Sequence, residues 1–145
     1  MNNMAYYECE YEMKIKNSDN IKKFIYELKK NESIKEINKI KHNKFNGFCD
    51  ISVNESMLLN KPNIKELSKK LNITLEIYSI QLENEITEHI LIDNGNIIIN
   101  EIKDFEEYPL IISKNDICED DEDAYDEYIF MAENVITSKH FNFNI

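Results

Sequence analysis

Hydrophobic and polar residues alternate at the start of the chain. Through residues 5–15 the odd positions are apolar or aromatic, while the even positions carry Tyr6, three glutamates and a lysine. A period of two is typical of a β-strand with one buried face. The alternation returns through residues 44–53, so we predict two half-buried strands with Cys9 and Cys49 on their buried faces.

Two later segments have the spacing of amphipathic helices. Ile21, Phe24 and Leu28 recur at helical intervals and predict a helix over residues 18–31. Ile64, Leu67 and Leu71 have the same spacing, which predicts a second helix over residues 63–72. Residues 33–43 favour an edge strand with a bulge, and the β-branched segment 73–82 favours another strand.

A hairpin is the clearest local signal. Asn94-Gly95 separates two apolar segments, and a two-residue type I′ turn requires positive φ at both central residues. The turn pairs residues 86–93 with residues 96–103. An unbroken register would place Glu88 opposite Glu101, with Lys103 on the same face.

The order of elements predicts an α+β fold. A βαββαβ arrangement is typical of a ferredoxin-like antiparallel sheet, here extended by the hairpin, with both helices on one face and the other face open. We expect residues 1–104 to form this domain and residues 105–145 an acidic extension, with a helix near residues 121–136 and a short terminal strand. The expected core is Tyr7, Tyr11, Ile15, Phe24, Leu28, Ile51, Leu67 and Ile77.

Part of the sequence resembles a known family. The segment Glu66-Leu67-Ser68, with Leu71, Ile73, Leu75-Glu76-Ile77-Tyr78 and the Asn94-Gly95 hairpin, is similar to ferredoxin-like domain proteins of phages and plasmids of the YubB type. The resemblance covers about residues 60–102. It implies a small α+β protein of a mobile genetic element and transfers no catalytic residue.

Charge and composition narrow the classes of function. The net charge is −11, with lysines concentrated in residues 14–72 and acids in residues 73–145, so nucleic acid is a poor direct partner. Two glycines are too few for a phosphate-binding loop, and no apolar run is long enough for a membrane span. Three separated cysteines without a CxxC motif indicate free thiols in a reducing compartment rather than a zinc site.

Three patterns suggest candidate chemistry. Opposed carboxylates at Glu88 and Glu101 predict either a cation site or acid/base pair, or a pair neutralised by Lys103. The acidic run 119–127 lacks the ligand spacing of an EF-hand, and the three histidines are isolated from any triad. Lys44, Gly47 and Phe48 match an RNA-recognition signature, but glutamates of the neighbouring strand would repel phosphate.

These observations favour a non-enzymatic, cytoplasmic interaction protein without catalytic residues, metal or cofactor. We expect it to come from a phage or other mobile element and to inhibit a basic, nucleic-acid-handling host protein such as a CRISPR effector, as an anti-CRISPR does. The alternatives are an RNA-binding protein that uses the lysine-rich half, and a small-ligand or metal-binding protein with the Glu88/Glu101 site. The predicted partner-binding residues are Tyr6, Glu8, Glu10, Glu12, Phe48, Asp50, Glu119, Asp120, Asp121 and Asp123.

Overall fold

A computed structural model of the chain describes residues 6–16, 18–30, 34–52, 62–112, 114, 117 and 121–145. The strands are β1 (Tyr6–Lys16), β2 (Ile34–Lys41), β3 (Lys44–Ser52), β4 (Thr74–Gln81), β5 (Ile86–Asp93) and β6 (Asn96–Asp104). The α-helices are α1 (Ile21–Lys29), α2 (Pro62–Leu71) and α3 (Glu122–Lys139). A 3-10 turn, Ser18–Asn20, precedes α1 and another, Phe105–Glu107, follows β6. The predicted α+β class is confirmed.

The strands form one open antiparallel sheet in the order β2-β3-β1-β4-β5-β6. β1 is central and pairs with β3 on one side and β4 on the other. β2 and β6 are the two edges. The bulge expected in β2 is present, because its pairing with β3 shifts register twice.

One face of the sheet packs against α1 and α2. The odd-numbered residues of β1 from Cys9 to Ile15 are buried there beneath Phe24 and Leu28 of α1 and Ile64 of α2. Among the predicted core residues, six are buried: Tyr11, Ile15, Phe24, Leu28, Leu67 and Ile77. Cys9 and Cys49 are also buried, as predicted, and lie directly opposite each other as free thiols. The side chains of Tyr7 and Ile51 lie outside the described residues.

Gly47 allows β2 and β3 to approach closely. A Cβ atom at this position would lie 1.8 Å from the carbonyl oxygen of Glu36 and 2.7 Å from the Tyr11 hydroxyl. The Tyr11 hydroxyl donates to the same Glu36 carbonyl at 3.1 Å. Because Gly47 has no side chain, the Glu36 backbone of β2 can lie close to β3 and accept this hydrogen bond from Tyr11 of β1.

The expectation of an open second face is wrong over the middle of the sheet. Helix α3 lies across this face and buries Tyr128, Ala132 and Ile136 against Tyr78 and Ile80 of β4. The helix predicted near residues 121–136 is therefore present, and it forms a second core. α3 is an 18-residue helix, and its buried stripe covers part of the sheet face opposite to α1 and α2.

The predicted terminal strand is also wrong. Residues 141–145 have no regular secondary structure, although Phe141 and Phe143 alternate with asparagine. Their polar contacts are with β4 side chains: the Tyr78 hydroxyl donates to the Asn142 carbonyl at 2.8 Å, and Glu76 accepts from Asn144 and Ile145. Hydrogen bonds to the side chains of Tyr78 and Glu76, rather than a ladder of backbone hydrogen bonds, hold this segment to the sheet.

The hairpin turn is confirmed, but the predicted register is not. Asn94 and Gly95 have φ values of 48° and 82°. The register shifts after Ile92 pairs with Ile97, because Leu91 pairs with Ile99 and leaves Ile98 as a bulge. The extra residue places Glu101 opposite His89 instead of Glu88, so the predicted Glu88/Glu101 pair does not exist.

Candidate partner-binding site

A groove of about 230 Å³ lies where β1 and β3 face the C-terminal part of α3. Glu10 pairs with Phe48, and Glu12 pairs with Asn46, so these four residues form the floor on one face of the two strands. The alternation of β1 places its glutamates here, because the odd-numbered residues enter the core beneath α1. The far wall of the groove is formed by Ile80, Thr137 and Phe141.

The groove carries negative charge that is only partly balanced. Glu12 lies 3.7 Å from the Lys44 ammonium, and Asp50 lies 3.0 Å from that of Lys35. Within the described part of the chain, Glu8 and Glu10 form no ion pair.

Glu10 is the most perturbed carboxyl group in the groove. Burial raises the pKa of Glu10 to about 7, and the nearby carboxylates of Glu133 and Glu8 add to this rise. Burial also raises the pKa of the Glu133 carboxyl. Near neutral pH, Glu10 is therefore partly protonated, and a cation placed beside it would favour the carboxylate form.

Asn46 adds a hydrogen-bond acceptor to the floor. Its Oδ1 atom is buried and, alone among the buried side-chain nitrogen and oxygen atoms of the described residues, has no hydrogen-bond partner. A buried carbonyl oxygen without a donor costs free energy that a bound N–H group would recover. The half-buried ring of Phe48 lies beside it and offers an apolar surface.

The predicted partner-binding residues do not form one surface. Glu8, Glu10, Glu12, Phe48 and Asp50 lie on the β1 and β3 strands at or beside the groove. The side chain of Tyr6 and residues Glu119 and Asp120 lie outside the described residues.

The predicted acidic residues at the start of α3 lie far from that groove. Asp121 caps α3, because its carboxylate accepts from the Ala124 amide at 3.1 Å, and Asp123 is exposed in the first turn. The helix separates Asp123 from Thr137 by about 21 Å. The predicted residues that the structure describes therefore lie in two separate clusters, one at the groove and one at the start of α3.

Comparison with known proteins gives no relative. No protein-family model, curated protein or solved structure matches this chain significantly.

A second polar centre, missed in the sequence, lies on β4 and β5. Glu76 is fully buried, and its Oε2 lies 2.6 Å from Nε2 of His89. The same carboxylate accepts from the Asn144 amide at 2.5 Å, the Ile145 amide at 3.3 Å and the Asn144 side chain at 3.0 Å. Four donors thus hold one buried carboxylate, which fastens the end of the chain to the sheet.

Aromatic rings complete this centre. Tyr78 stacks between His89, at 4.0 Å between ring centroids, and Phe141, at 4.8 Å. Burial raises the pKa of Tyr78 to about 12, with a further contribution from Glu76. A cavity of about 100 Å³ remains between this stack, Tyr108 and His140. These contacts give the centre a structural role in holding the C-terminal segment.

The corrected hairpin register explains the acidic residues nearby. Glu101 Oε2 lies 3.8 Å from His89 Nδ1, so the second carboxylate faces an imidazole. Glu88 is buried on the opposite face, where the Ser79 hydroxyl donates to its Oε1 at 3.2 Å.

Within the described part of the chain, no group of three or more His, Cys, Asp or Glu side chains is arranged to hold a metal ion. No described helix is long and apolar enough to cross a membrane.

Proposed function

We propose that this protein is a non-enzymatic interaction protein of a phage or other mobile element, and that it binds and inhibits a basic, nucleic-acid-handling host protein. The groove of β1 and β3 would receive a lysine or arginine side chain of that protein. A CRISPR effector or another defence protein fits this description, because such proteins expose cationic surfaces that bind phosphate.

The observation that carries the proposal is the coincidence of three features in one groove. Among the described residues, Glu10 has no cationic partner and the side-chain Oδ1 of Asn46 has no donor, and the Phe48 ring lies beside both. A lysine or arginine donor would supply charge to Glu10 and a hydrogen bond to Asn46. An aromatic anchor in a partly desolvated site is typical of the centre of an interface.

RNA binding is the less favoured function. Phe48 is the residue on which a base would stack, and it pairs directly with Glu10 and neighbours Glu12. The carboxylates of Glu10 and Glu12 would lie close to a base stacked on Phe48 and would repel the phosphates of the RNA. The same charge arrangement attracts a basic protein.

We also propose that β1 to β4, with α1 and α2, form a ferredoxin-like unit. The support is the sheet order β2-β3-β1-β4 with antiparallel pairing throughout, and the position of the two connecting helices over one core. The free thiols of Cys9 and Cys49 support a reducing compartment such as the cytoplasm.

The proposal can be tested by two charge reversals of equal size. Glu8→Lys/Glu10→Lys changes the groove, whereas Asp123→Lys/Asp126→Lys makes the same change in net charge on exposed positions of α3. A partner is first captured from host extract on the immobilised protein. Its association with each variant is then measured at two salt concentrations, beside a titration with single-stranded RNA.

We expect the groove variant to lose about tenfold or more in association rate and the α3 variant to retain most of it. The rate for the unmodified chain should fall as salt rises, because screening shortens the range of attraction. Equal losses in both variants would reject the groove as the site. Tight binding of RNA by the unmodified chain, with no protein partner captured, would reject the proposed function.

A further inference from the structure

The outer edge of the sheet at β6 differs from the edge at β2. Among the described residues β6 pairs only with β5, so no other described strand lies beside its outer edge. Eight of its nine residues are exposed, including Ile97 (42%), Ile98 (59%) and Ile102 (46%). It contains no proline. Four of its nine residues are isoleucine and three are charged, and an exposed edge strand with unpaired backbone groups is a template for pairing with another chain.

The β2 edge has the usual protection against such pairing. It contains three lysines and a glutamate among eight residues, and its ladder with β3 is broken by two register shifts. Lys35 is also engaged with Asp50 at 3.0 Å. In β6 the single bulge at Ile98 lies near the turn and leaves a regular stretch from Ile99 to Asp104.

We propose that β6 pairs with β6 of a second copy of this chain, antiparallel and centred on Ile102, to give a continuous twelve-stranded sheet from two six-stranded ones. This goes beyond the proposed partner binding and uses a different surface, since β1 and β3 are separated from β6 by β4 and β5.

The charges of β6 select this register. When a two-fold axis continues a sheet, directly opposed residues share one face, so the axis passes through a residue of the regular stretch. An axis at Glu101 or at Lys103 would set like charges against each other. An axis at Asn100 would oppose Glu101 to Ile99 of the second copy.

An axis at Ile102 gives the only fully complementary pairing of these charges. Glu101 then opposes Lys103 of the second copy, and Lys103 opposes its Glu101, so two ion pairs flank an Ile102–Ile102 contact. Glu101 and Lys103 line the same cavity, which places them on one face of β6, as this pairing requires. Both side chains are exposed, and their present contacts, Glu101 with His89 at 3.8 Å and the Lys103 ammonium 5.4 Å from the Tyr108 ring centroid, are at the surface.

The test uses two single charge reversals and their mixture. Sedimentation over a range of concentrations measures the dimer dissociation constant of the unmodified chain, of Glu101→Lys and of Lys103→Glu. In each variant two attractive pairs become repulsive, so the constant should rise by about tenfold. Mixing the two variants should restore association. One copy then carries lysine at both positions and faces glutamate at both positions of the other copy.

Control variants keep the same charge changes away from β6. Glu83→Lys in the β4–β5 turn and Lys41→Glu on β2 should each leave dimerisation unchanged, and their mixture should gain nothing. Melting temperatures check folding, since Glu101 lies near His89. Lys103→Glu provides an independent result if Glu101→Lys is poorly folded.

An unmodified chain that stays monomeric at every concentration would overturn the proposal. A dimer that tolerates both reversals, or two variants that do not associate when mixed, would also overturn it, because the contact would then lie elsewhere or in another register.

Discussion

The two faces of the sheet are built by different means. On the face beneath α1 and α2, buried side chains of four neighbouring strands pack against two short helices through apolar contacts. On the face beneath α3, a fully buried carboxylate, an imidazole and stacked aromatic rings hold the C-terminal segment.

This difference places the candidate site. On the first face, α1 and α2 cover the described parts of the central strands β1 and β3. On the second face α3 covers β4 and ends beside β1, which leaves Glu10, Asn46 and Phe48 at the margin of a core. Partial burial at such a margin raises the pKa of Glu10 and leaves Asn46 Oδ1 without a donor.

The largest expected effect is on the apolar face. Phe24→Ala should lower the free energy of unfolding by about 3–5 kcal/mol, because the ring is fully buried against Phe45. Tyr26→Ala is the matched control on the same helix, since Tyr26 is 64% exposed, and it should cost less than about 0.5 kcal/mol. Denaturant unfolding measures both values. Similar losses of stability in the two variants would show that α1 does not bury its Phe24 side in preference to its Tyr26 side.

On the opposite face, Glu76→Ala should cost about 2–3 kcal/mol, because it removes the buried acceptor of several partly buried hydrogen bonds. It should also release the end of the chain, so that the amides of Asn144 and Ile145 exchange hydrogen faster. Glu83→Ala, at an exposed position, is the control. Unchanged protection of both amides in Glu76→Ala would show that the carboxylate does not anchor this segment.

A smaller effect is expected at the hairpin turn, where Gly95 lies against Lys69 of α2. Gly95→Val should destabilise the protein by about 2 kcal/mol, because a β-branched residue resists positive φ. Its Cβ would also lie 2.8 Å from Cβ of Lys69. Asn96→Val, one residue along in the extended strand, should have little effect. Equal melting temperatures for the two variants would contradict the turn geometry.

The smallest effect concerns Glu10 and pH. Since its pKa in the folded protein, about 7, is above its ordinary value of 4.5, folding favours the protonated form, and stability from this group is lost as pH rises between these values. Glu10→Gln should therefore match the unmodified chain below about pH 4.5 and exceed it by about 1–2 kcal/mol above pH 7. Solvent screening at this half-buried group limits the gain.

Unfolding at several pH values measures this difference between the two chains. A difference in unfolding free energy that stays constant across the range, or a gain that appears only at low pH, would contradict the raised pKa of Glu10.

The sequence was a good guide where one period decides the structure. Alternation in β1 and the spacing of Phe24 and Leu28 predicted the first core, and Asn94-Gly95 predicted the turn. The hairpin register was not predictable, because Ile97, Ile98 and Ile99 are identical and hide which residue forms the bulge. One residue of slip was enough to replace the expected Glu88/Glu101 pair with His89 and Glu101.

Contacts made through the tertiary structure were also hidden. Glu133 approaches Glu10 only because α3 crosses the sheet, and Asn144 and Glu76 are 68 residues apart in the sequence. The alternation of Phe141 and Phe143 suggested a strand, but packing on Tyr78 explains it. Half of the candidate site, the glutamates and Phe48, was therefore predicted, and its wall and electrostatics were not.

Binding of a basic partner at the groove is tested most directly by the NMR chemical shifts of this protein when the captured partner is added. We expect the largest changes at the Asn46 side-chain amide, the Phe48 ring and the backbone of Glu10, and we expect affinity to rise as pH increases through about 7, because the cation favours deprotonated Glu10. Changes concentrated at the start of α3, with Asn46 and Phe48 unaffected, would contradict binding at the groove.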